Sequence, residues 1–334
     1  MTMPLSLRSL RKTLLGACLV AAAGVVPLTL QAAEKLKIGT VVWAGYAPFY
    51  VADKLDLYKP HGLKVELQFF NDPALIPTAM TGGALDGGML TYDQVVGGVA
   101  KGRPYRVVMP IDFSNGGDAI VADKSIKSVA DFKGKKIGFN PLSPSDFLLA
   151  YALKSHGLSD KDVSPVNMTP EGIPGAMASG SLPVGVTYEP MSRRSSACRA
   201  ASSTSCIHRG RAGPDHRRAG VQPGGHRQTP ESDQRDDPGY ADGLAYMKAH
   251  PDESAEIIGK VLGVSAAEAK EQMAGVYNIP LAEMGKNFEK SDATSSFFGS
   301  GAVIAQLLKD NSQIPAIPDL AQTFDAQFVQ ALAQ

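Results

Sequence analysis

Short apolar strands alternate with amphipathic helices along most of this chain, and this alternation constrains the fold more than any other feature. Strand-like stretches occur at residues 36–42, 62–67, 105–109, 119–122 and 184–187. Helical spacing occurs at residues 47–57, 73–80, 147–156, 239–250, 252–262, 265–276 and 299–310. Residues 129–138 are predicted to turn from a short helix into a strand. An order of this kind predicts an α/β fold with largely parallel strands.

Length and composition agree with a folded protein of two domains. The chain has 334 residues, of which 44% are hydrophobic and 20% are charged, and these fractions exclude a disordered chain. Three cysteines are too few for a scaffold built on disulfides. The formal net charge is zero, which gives no reason to expect a nucleic-acid partner.

Residues 1–32 have the layout of a secretory signal peptide. Three basic residues precede an apolar run over 14–30, and small residues follow it. A membrane anchor is the alternative, but the run is short and contains Gly24 and Pro27. A lipoprotein cleavage box around Cys18 is a second alternative, although it leaves only a stub of apolar residues. We therefore predict an exported, periplasmic protein without a lipid anchor.

Residues 192–238 differ from the rest of the chain. They contain nine arginines and no lysine, and they lack Leu, Phe, Tyr, Trp and Met altogether. Such a segment has little with which to cover an apolar core. A disordered insertion and a basic nucleic-acid arm are two interpretations, and translation out of frame is a third.

The genetic code favours the out-of-frame interpretation. Codons displaced by one base from Gly213 onward permit the reading DLITDVLAFNPAVIAKRP, which contains a strand and the start of a helix. The same shift makes residues 231–238 compatible with NRINAMIR, which continues into the helix predicted from 239. We predict compensating frameshifts near Met191 and Pro238. The printed frame would lack a central strand, which would leave its neighbours with unpaired backbone.

The rest of the chain resembles the periplasmic solute-binding proteins of ABC importers for nitrate, sulfonate and taurine, a group related to binders of thiamine pyrimidine precursors. The shifted reading also resembles this family. The motifs that carry the resemblance are WAGYAPF at 43–49, DFSNGGDAIV at 112–121, residues 129–138, SDFLL at 145–149 and VTYEP at 186–190.

The resemblance implies a two-lobed periplasmic binding protein of type II, with mixed, mostly parallel sheets and a ligand cleft between the lobes. Lobe 1 is then expected to combine residues 34–120 with 239–334. Lobe 2 would be a truncated 121–191. The chain is expected to bind a small polar solute by lobe closure and to deliver it to the permease of an ABC transporter. A ligand-sensing receptor is an alternative.

Aromatic residues of lobe 1 are the first candidates for the ligand site. Trp43 and Tyr46 lie where the first strand ends, the usual place for ligand groups in open α/β sheets. Tyr92 follows a glycine-rich passage and offers both apolar contact and a hydroxyl. Core packing is the alternative role for each of them.

Polar candidates come from both sides of the predicted cleft. Ser114 and Asp118 flank a glycine pair, although Asp118 would also suit a solvated turn. Ser143 and Ser145 open a helix whose free N–H groups suit an anion, or they serve only as caps. Glu189 follows a buried strand and is either a ligand group or part of a salt bridge between the lobes.

The charges of these candidates favour a taurine-like zwitterion or an amine. Matching positions supply Asp118, Glu189 and Asp146 but no basic residue, whereas a small dianion normally meets an arginine. A nitrate-like ligand stays open. The sequence has no nucleophile-elbow, P-loop or zinc-protease motif, and we predict no catalytic residue, cofactor or metal. An enzyme related to pyrimidine-precursor synthases remains as an alternative.

Overall fold

The computed structural model describes residues 34–198, 204–209, 217–223, 236–293 and 295–332. The predicted signal peptide at 1–32 lies outside these residues. The strands are β1 Glu34–Thr40, β2 Leu63–Phe69, β3 Gly87–Thr91, β4 Tyr105–Ser114, β5 Asp118–Asp123, β6 Lys136–Phe139, β7 Ser164–Asn167, β8 Val184–Tyr188, β9 Thr204–Arg209, β10 Arg217–Pro223 and β11 Val276–Asn278. The helices are α1 Ala47–Lys54, α2 Ile76–Thr81, α3 Tyr92–Ala100, α4 Pro144–Ser155, α5 Gly172–Ala178, α6 Met191–Cys198, α7 Asp236–Ala249, α8 Pro251–Leu262, α9 Ala266–Met273, α10 Leu281–Met284, α11 Phe297–Asp310 and α12 Gln327–Leu332.

The first sheet has six strands in the order β11-β4-β10-β3-β1-β2 and forms lobe 1. Strand β1 pairs in parallel with β2 and β3, whereas β10 is antiparallel to both β3 and β4. All five residues of β3 are buried, as expected for a strand covered on both faces. Helices α1, α7, α8 and α11 contribute apolar side chains to the core of this lobe.

The second sheet has five strands in the order β7-β6-β8-β5-β9 and forms lobe 2. Strand β6 pairs in parallel with β7 and β8, while β5 is antiparallel to β8 and β9. The alternation of β8 sends Val184 and Val186 into a core shared with α4, and Gly185 faces α5. The predicted fold class, a two-lobed α/β protein with mixed sheets, is confirmed.

The chain passes between the lobes at residues 115–117, from β4 into β5, and returns between β9 and β10. Both sheets belong to one compact unit, Ala33–Gln334. Strand β9 extends lobe 2, and β10 extends lobe 1, through residues that the predicted division assigned to neither lobe. The predicted boundary at residue 120 falls inside β5.

The arginine-rich segment 192–238 contains regular elements that we did not expect from the printed frame. Helix α6, strands β9 and β10 and the first residues of α7 fall within it. A strand can form here because sheet pairing uses only backbone N–H and C=O groups, which every residue except proline supplies in full. The predicted frameshift concerns the side chains and stays a prediction.

The elements predicted from the pattern agree with the observed ones to within a few residues over most of the chain. Exceptions, which the pattern did not predict, are β3, β7, α5, β11, α10 and α12. Strand β7 is a short edge strand with Pro165 and mostly exposed residues, and α5 contains Gly172, Pro174 and Gly175. These residues weaken both periodicities, and tertiary packing decides the structure there.

Candidate functional site

Residues 115–117 join the two sheets and are held from both sides. The backbone N–H groups of Asn115 and Gly117 donate to the carbonyl of Gly275 in lobe 1, at 2.8 and 3.1 Å. The carbonyl of Gly117 accepts from the N–H of Glu189 in lobe 2, at 2.9 Å. This crossing therefore connects the lobes through backbone hydrogen bonds as well as through the covalent chain.

Trp43 lies at the crossing and is fully buried. Its indole Nε1–H donates to Oδ2 of Asp112 on β4, at 3.0 Å. Its ring meets the ring of Tyr188 on β8 edge to face, with centroids 5.8 Å apart. One side chain thus contacts both lobes, which fits the predicted position and also the alternative role of packing between the lobes.

Two glycines allow this close packing. A Cβ on Gly45 would lie 2.0 Å from Oδ2 of Asp112, and one on Gly117 would lie 2.4 Å from the Trp43 ring. Asn278 on β11 fastens the same turn, because its side-chain amide donates to the Gly45 carbonyl at 2.6 Å. The turn at residues 43–46 therefore packs closely against the buried carboxylate of Asp112.

Ser114 and Asp118 flank the crossing, at the end of β4 and the start of β5. The Ser114 hydroxyl accepts from the N–H of Asp118 at 3.1 Å. Asp118 pairs with Tyr188 in the β5–β8 register and is buried. The predicted glycine loop between them is the crossing itself, and Asp118 is buried at its end although Asn115 is exposed.

Ser143 and Ser145 lie at the start of α4, as predicted. The Ser143 hydroxyl donates to the carbonyl of Asn140 at 2.6 Å and accepts from the N–H of Ser145 at 3.2 Å. Strands β6 and β8 pair in parallel, with Ile137 opposite Val184. Continued for three more residues along both strands, this register brings residue 140 beside Thr187.

We call Asn140, Ser143, Ser145 and Thr187 the lobe 2 polar cluster. All four are at most 3% exposed. Oδ1 of Asn140, Oγ of Ser145 and Oγ1 of Thr187 have no hydrogen-bond partner among the described residues. A buried polar atom without a partner costs free energy, which a bound ligand can offset.

Glu189 forms a salt bridge within lobe 2, whereas one of its two predicted roles was a salt bridge between the lobes. Its carboxylate lies 3.1 Å from Nε of Arg193 on α6, and Arg193 also contacts Glu271 on α9 of lobe 1. Burial raises the pKa of the Glu189 carboxyl, and hydrogen bonds from Ser192 and Arg193 act against this rise. The expectation that the candidate positions supply no basic residue stays a prediction, but an arginine outside them, Arg193, pairs with Glu189. Arg193 falls in the segment that we had set aside.

Two of the residues considered in the sequence, Tyr92 and Asp146, lie away from the crossing, whereas Tyr46 belongs to the turn at residues 43–46. Tyr92 packs on Phe297 within lobe 1, and its hydroxyl lies 2.7 Å from Thr323 Oγ1. Tyr46 is buried in the same lobe 1 core. Asp146 turns toward lobe 1, where Oδ2 accepts from the side-chain amide of Gln313 at 3.0 Å. Tyr92, a predicted site residue, and Asp146, which follows the predicted site residue Ser145, therefore have their contacts elsewhere than at the crossing.

Sequence analysis missed Asp112, Asn140, Thr187, Tyr188 and Arg193. Asp112 carried a usable signal, since an acid inside an apolar strand is buried only with a partner. Asn140 and Thr187 end two parallel strands, where ligand groups are expected once the sheet order is known. Within the described ranges, no helix is both long and apolar enough to cross a membrane, and no group of three or more His, Cys, Asp or Glu side chains could hold a metal.

Comparison with known proteins shows what the chain is similar to. Residues 43–201 match the family model described as "NMT1/THI5 like". The "Putative thiamine biosynthesis protein" of Haemophilus influenzae is 34% identical over 146 residues, 42% of this chain and 46% of that protein. The match thus spans about half the length of the curated relatives.

Solved structures match over most of the chain. The alkanesulfonate-binding protein SsuA from Xanthomonas axonopodis pv. citri, solved with bound MOPS, has a TM-score of 0.72 and 19% identity, covering 88% of this chain and 100% of that one. The periplasmic nitrate-binding protein NrtA from Synechocystis PCC 6803 has a TM-score of 0.69 and 13% identity, covering 90% and 88%.

These likenesses define a protein with the two-lobed fold of periplasmic binding proteins. Within that class, residues 43–201 match the NMT1/THI5-like family model, which agrees with the resemblance predicted from the motifs.

Proposed function

We propose that the chain is the substrate-binding component of an ABC importer, exported to the periplasm by residues 1–32. It captures a small polar organic solute between its lobes and delivers it to a permease. Support comes from the fold, from relatives named as sulfonate- and nitrate-binding proteins, and from the lobe 2 polar cluster beside the crossing. The cluster carries the proposal, because buried polar atoms without partners mark a place prepared for a ligand.

The proposed ligand is a taurine-like zwitterion. Helix α4 has twelve residues, and the positive end of its dipole, at its first turn, favours a sulfonate. Unpartnered oxygens of Ser145 and Thr187 lie at the same edge of the sheet. Asp118, which pairs with Tyr188 across β5 and β8, provides negative charge for the amine. The ligand thus has complementary groups at both of its ends.

The enzyme alternative finds little support. Described histidine side chains already have local partners: His61 lies 2.8 Å from Asp242, His156 lies 2.8 Å from the Ala152 carbonyl, and His250 stacks on Tyr246. They are spread over different elements, and none lies at the crossing. A binding role therefore accounts for the site better than a catalytic one.

Isothermal titration calorimetry of the full chain with taurine, ethanesulfonate and nitrate tests the proposal. Taurine is expected to bind more tightly than ethanesulfonate, which lacks the amine, and Ser145→Ala is expected to weaken taurine binding at least tenfold. Ser155→Ala, near the exposed end of the same helix, is the matched control. Binding of nitrate alone would overturn the zwitterion, and a folded chain that binds none of the three would overturn this ligand class.

A further inference from the structure

A groove separate from the crossing runs along α3. It encloses about 490 Å³ between α2 and α3 of lobe 1, and the first turn of α4 from lobe 2 closes one end. Of the eight predicted site residues, only Ser143 lines it. The groove is therefore a different place from the crossing, although the two meet at the start of α4.

The groove exists because one face of α3 has almost no side chains. Gly97 and Gly98 line it opposite Thr78 and Thr81 of α2. Tyr105 closes the floor, since its hydroxyl donates to the Pro77 carbonyl at 2.7 Å and lies 2.9 Å from Thr81 Oγ1. These contacts hold α2 in place, so the groove is part of the fold.

The two ends of the groove carry opposite charges. Asp93 lies in the first turn of α3 and Lys101 follows its last residue, a separation of about 12 Å along the axis at 1.5 Å per residue. Arg103 lines the same end as Lys101, two residues further along the chain. A ligand that spans the groove thus meets acid at one end and base at the other.

Asp146 of lobe 2 belongs to the acidic end. Leu142 connects it to α3, because the Leu142 carbonyl accepts from the side-chain amide of Gln94 at 3.3 Å and the Leu142 N–H donates to Asp146 Oδ2 at 2.9 Å. Across the described residues, no lysine or arginine forms an ion pair with Asp146. Burial raises the pKa of its carboxyl, so a cation placed beside it would relieve an unfavourable charge.

We infer that this groove is a second binding site, which takes an elongated zwitterion with its ammonium group at Asp93 and Asp146 and its carboxylate or sulfonate at Lys101 and Arg103. This inference goes beyond the proposed function, which concerns the crossing and a shorter ligand. Because α2 and α3 of lobe 1 form the walls and the first turn of α4 from lobe 2 closes one end, an occupant contacts both lobes and stabilises this arrangement of the two lobes.

Chain length provides the first test. The full chain is titrated calorimetrically with ω-amino carboxylates from 3-aminopropanoate to 10-aminodecanoate. The affinity is expected to pass through a maximum near 8-aminooctanoate, because shorter molecules cannot reach both charged ends. An affinity that is flat, or that rises steadily with chain length, would overturn the inference, since it would report only apolar contact.

Charge reversal provides the second test. The double variant Lys101→Glu plus Arg103→Glu is expected to bind 8-aminooctanoate at least tenfold more weakly and to gain affinity for octane-1,8-diamine. Lys124→Glu plus Lys127→Glu, at exposed positions in lobe 2, is the control, and circular dichroism checks that each variant folds. An unchanged affinity for both probes in the first variant would overturn the inference.

Taurine separates this inference from the proposed function. The charge reversal at 101 and 103 is expected to leave taurine binding within about twofold of the original, whereas Ser145→Ala weakens it. If taurine fails to bind while 8-aminooctanoate binds with the expected length dependence, the proposed ligand fails and the groove stands. If taurine binds but the affinity for ω-amino carboxylates does not depend on their length as expected, the groove site fails and the proposed ligand stands.

Discussion

At the scale of single residues, the contact between Trp43 and Asp112 organises the crossing. Asp112 is fully buried, and its carboxylate accepts the indole N–H. The two residues are 69 positions apart, so local spacing holds no information about their contact. The sequence indicates that Trp43 lies at a strand end, but only the order of β4 beside β11 and β10 shows which carboxylate it meets.

Asp112→Ala is expected to destabilise the fold, because it leaves the Trp43 N–H buried without an acceptor, a loss of about 1–3 kcal/mol. Urea unfolding followed by circular dichroism measures the change. Asp112→Asn keeps an acceptor oxygen and serves as the comparison. If the alanine and asparagine variants unfold at the same urea concentration, this hydrogen bond does not contribute as described.

Gly117→Ala is expected to cost about 1–3 kcal/mol, because the new methyl group would overlap the Trp43 ring and force the crossing to shift. Gly175→Ala in α5 is the matched control, since its Cβ meets nothing within 4 Å. That substitution is expected to leave stability equal or higher, as alanine favours a helix. Chemical unfolding compares the two, and equal destabilisation would contradict the clash.

At the scale of secondary structure, α4 is the element that the sequence predicts best. Ser143 is its N-cap, Pro144 its first residue, and Gly157 follows its end with a φ of +71°. Asp146 departs from the predicted capping box, since it binds the N–H of Leu142, one residue before the cap. Capping rules act within a few residues and so are visible in the sequence, whereas the Gln313 contact across the lobes is not.

Asp146 is expected to make stability fall as the pH rises. Its pKa is raised in the folded chain, chiefly by burial, so folding is favoured most while the carboxyl is protonated. This contribution is complete below the unfolded pKa of about 3.9 and is lost as the pH rises through the folded pKa. Unfolding at a series of pH values, for the original chain and Asp146→Asn, measures the difference.

Asp131 provides the opposite case as a control. Backbone hydrogen bonds from Lys127 and Ser128 lower the pKa of its exposed carboxyl. Stability relative to Asp131→Asn is therefore expected to rise with pH, from below the folded pKa until the unfolded pKa has been passed. If both substitutions change the pH profile in the same direction, the burial of Asp146 is not the cause.

At the scale of the whole molecule, the position of β10 in the first sheet shows why the unusual composition of residues 192–238 matters for the fold. Strand β10 lies between β3 and β4, whose residues Met89, Leu90, Met109 and Ile111 are buried. A strand at such a position usually has apolar residues. The printed frame gives RRAGVQP over 217–223, and the displaced frame permits DVLAFNP at the same positions. The place of this strand could be predicted only through the second frame.

A chain with the displaced reading between Met191 and Pro238 is expected to be more stable than the printed chain, by several kcal/mol, because a strand between β3 and β4 would then have mostly apolar residues in place of RRAGVQP. Thermal unfolding of both purified chains compares them, and DNA sequencing across codons 190 to 240 shows which frame the gene has. Equal or higher stability of the printed chain would contradict the predicted frameshifts.

The environment of Trp43 gives the molecule an intrinsic optical reporter. It is the single tryptophan in the sequence, and its ring belongs to lobe 1 while resting against Tyr188 of lobe 2. Any separation of the lobes would admit water to that ring and move its emission to longer wavelength. Opening and closing could therefore be followed in the unlabelled protein, in real time, by the fluorescence of one residue.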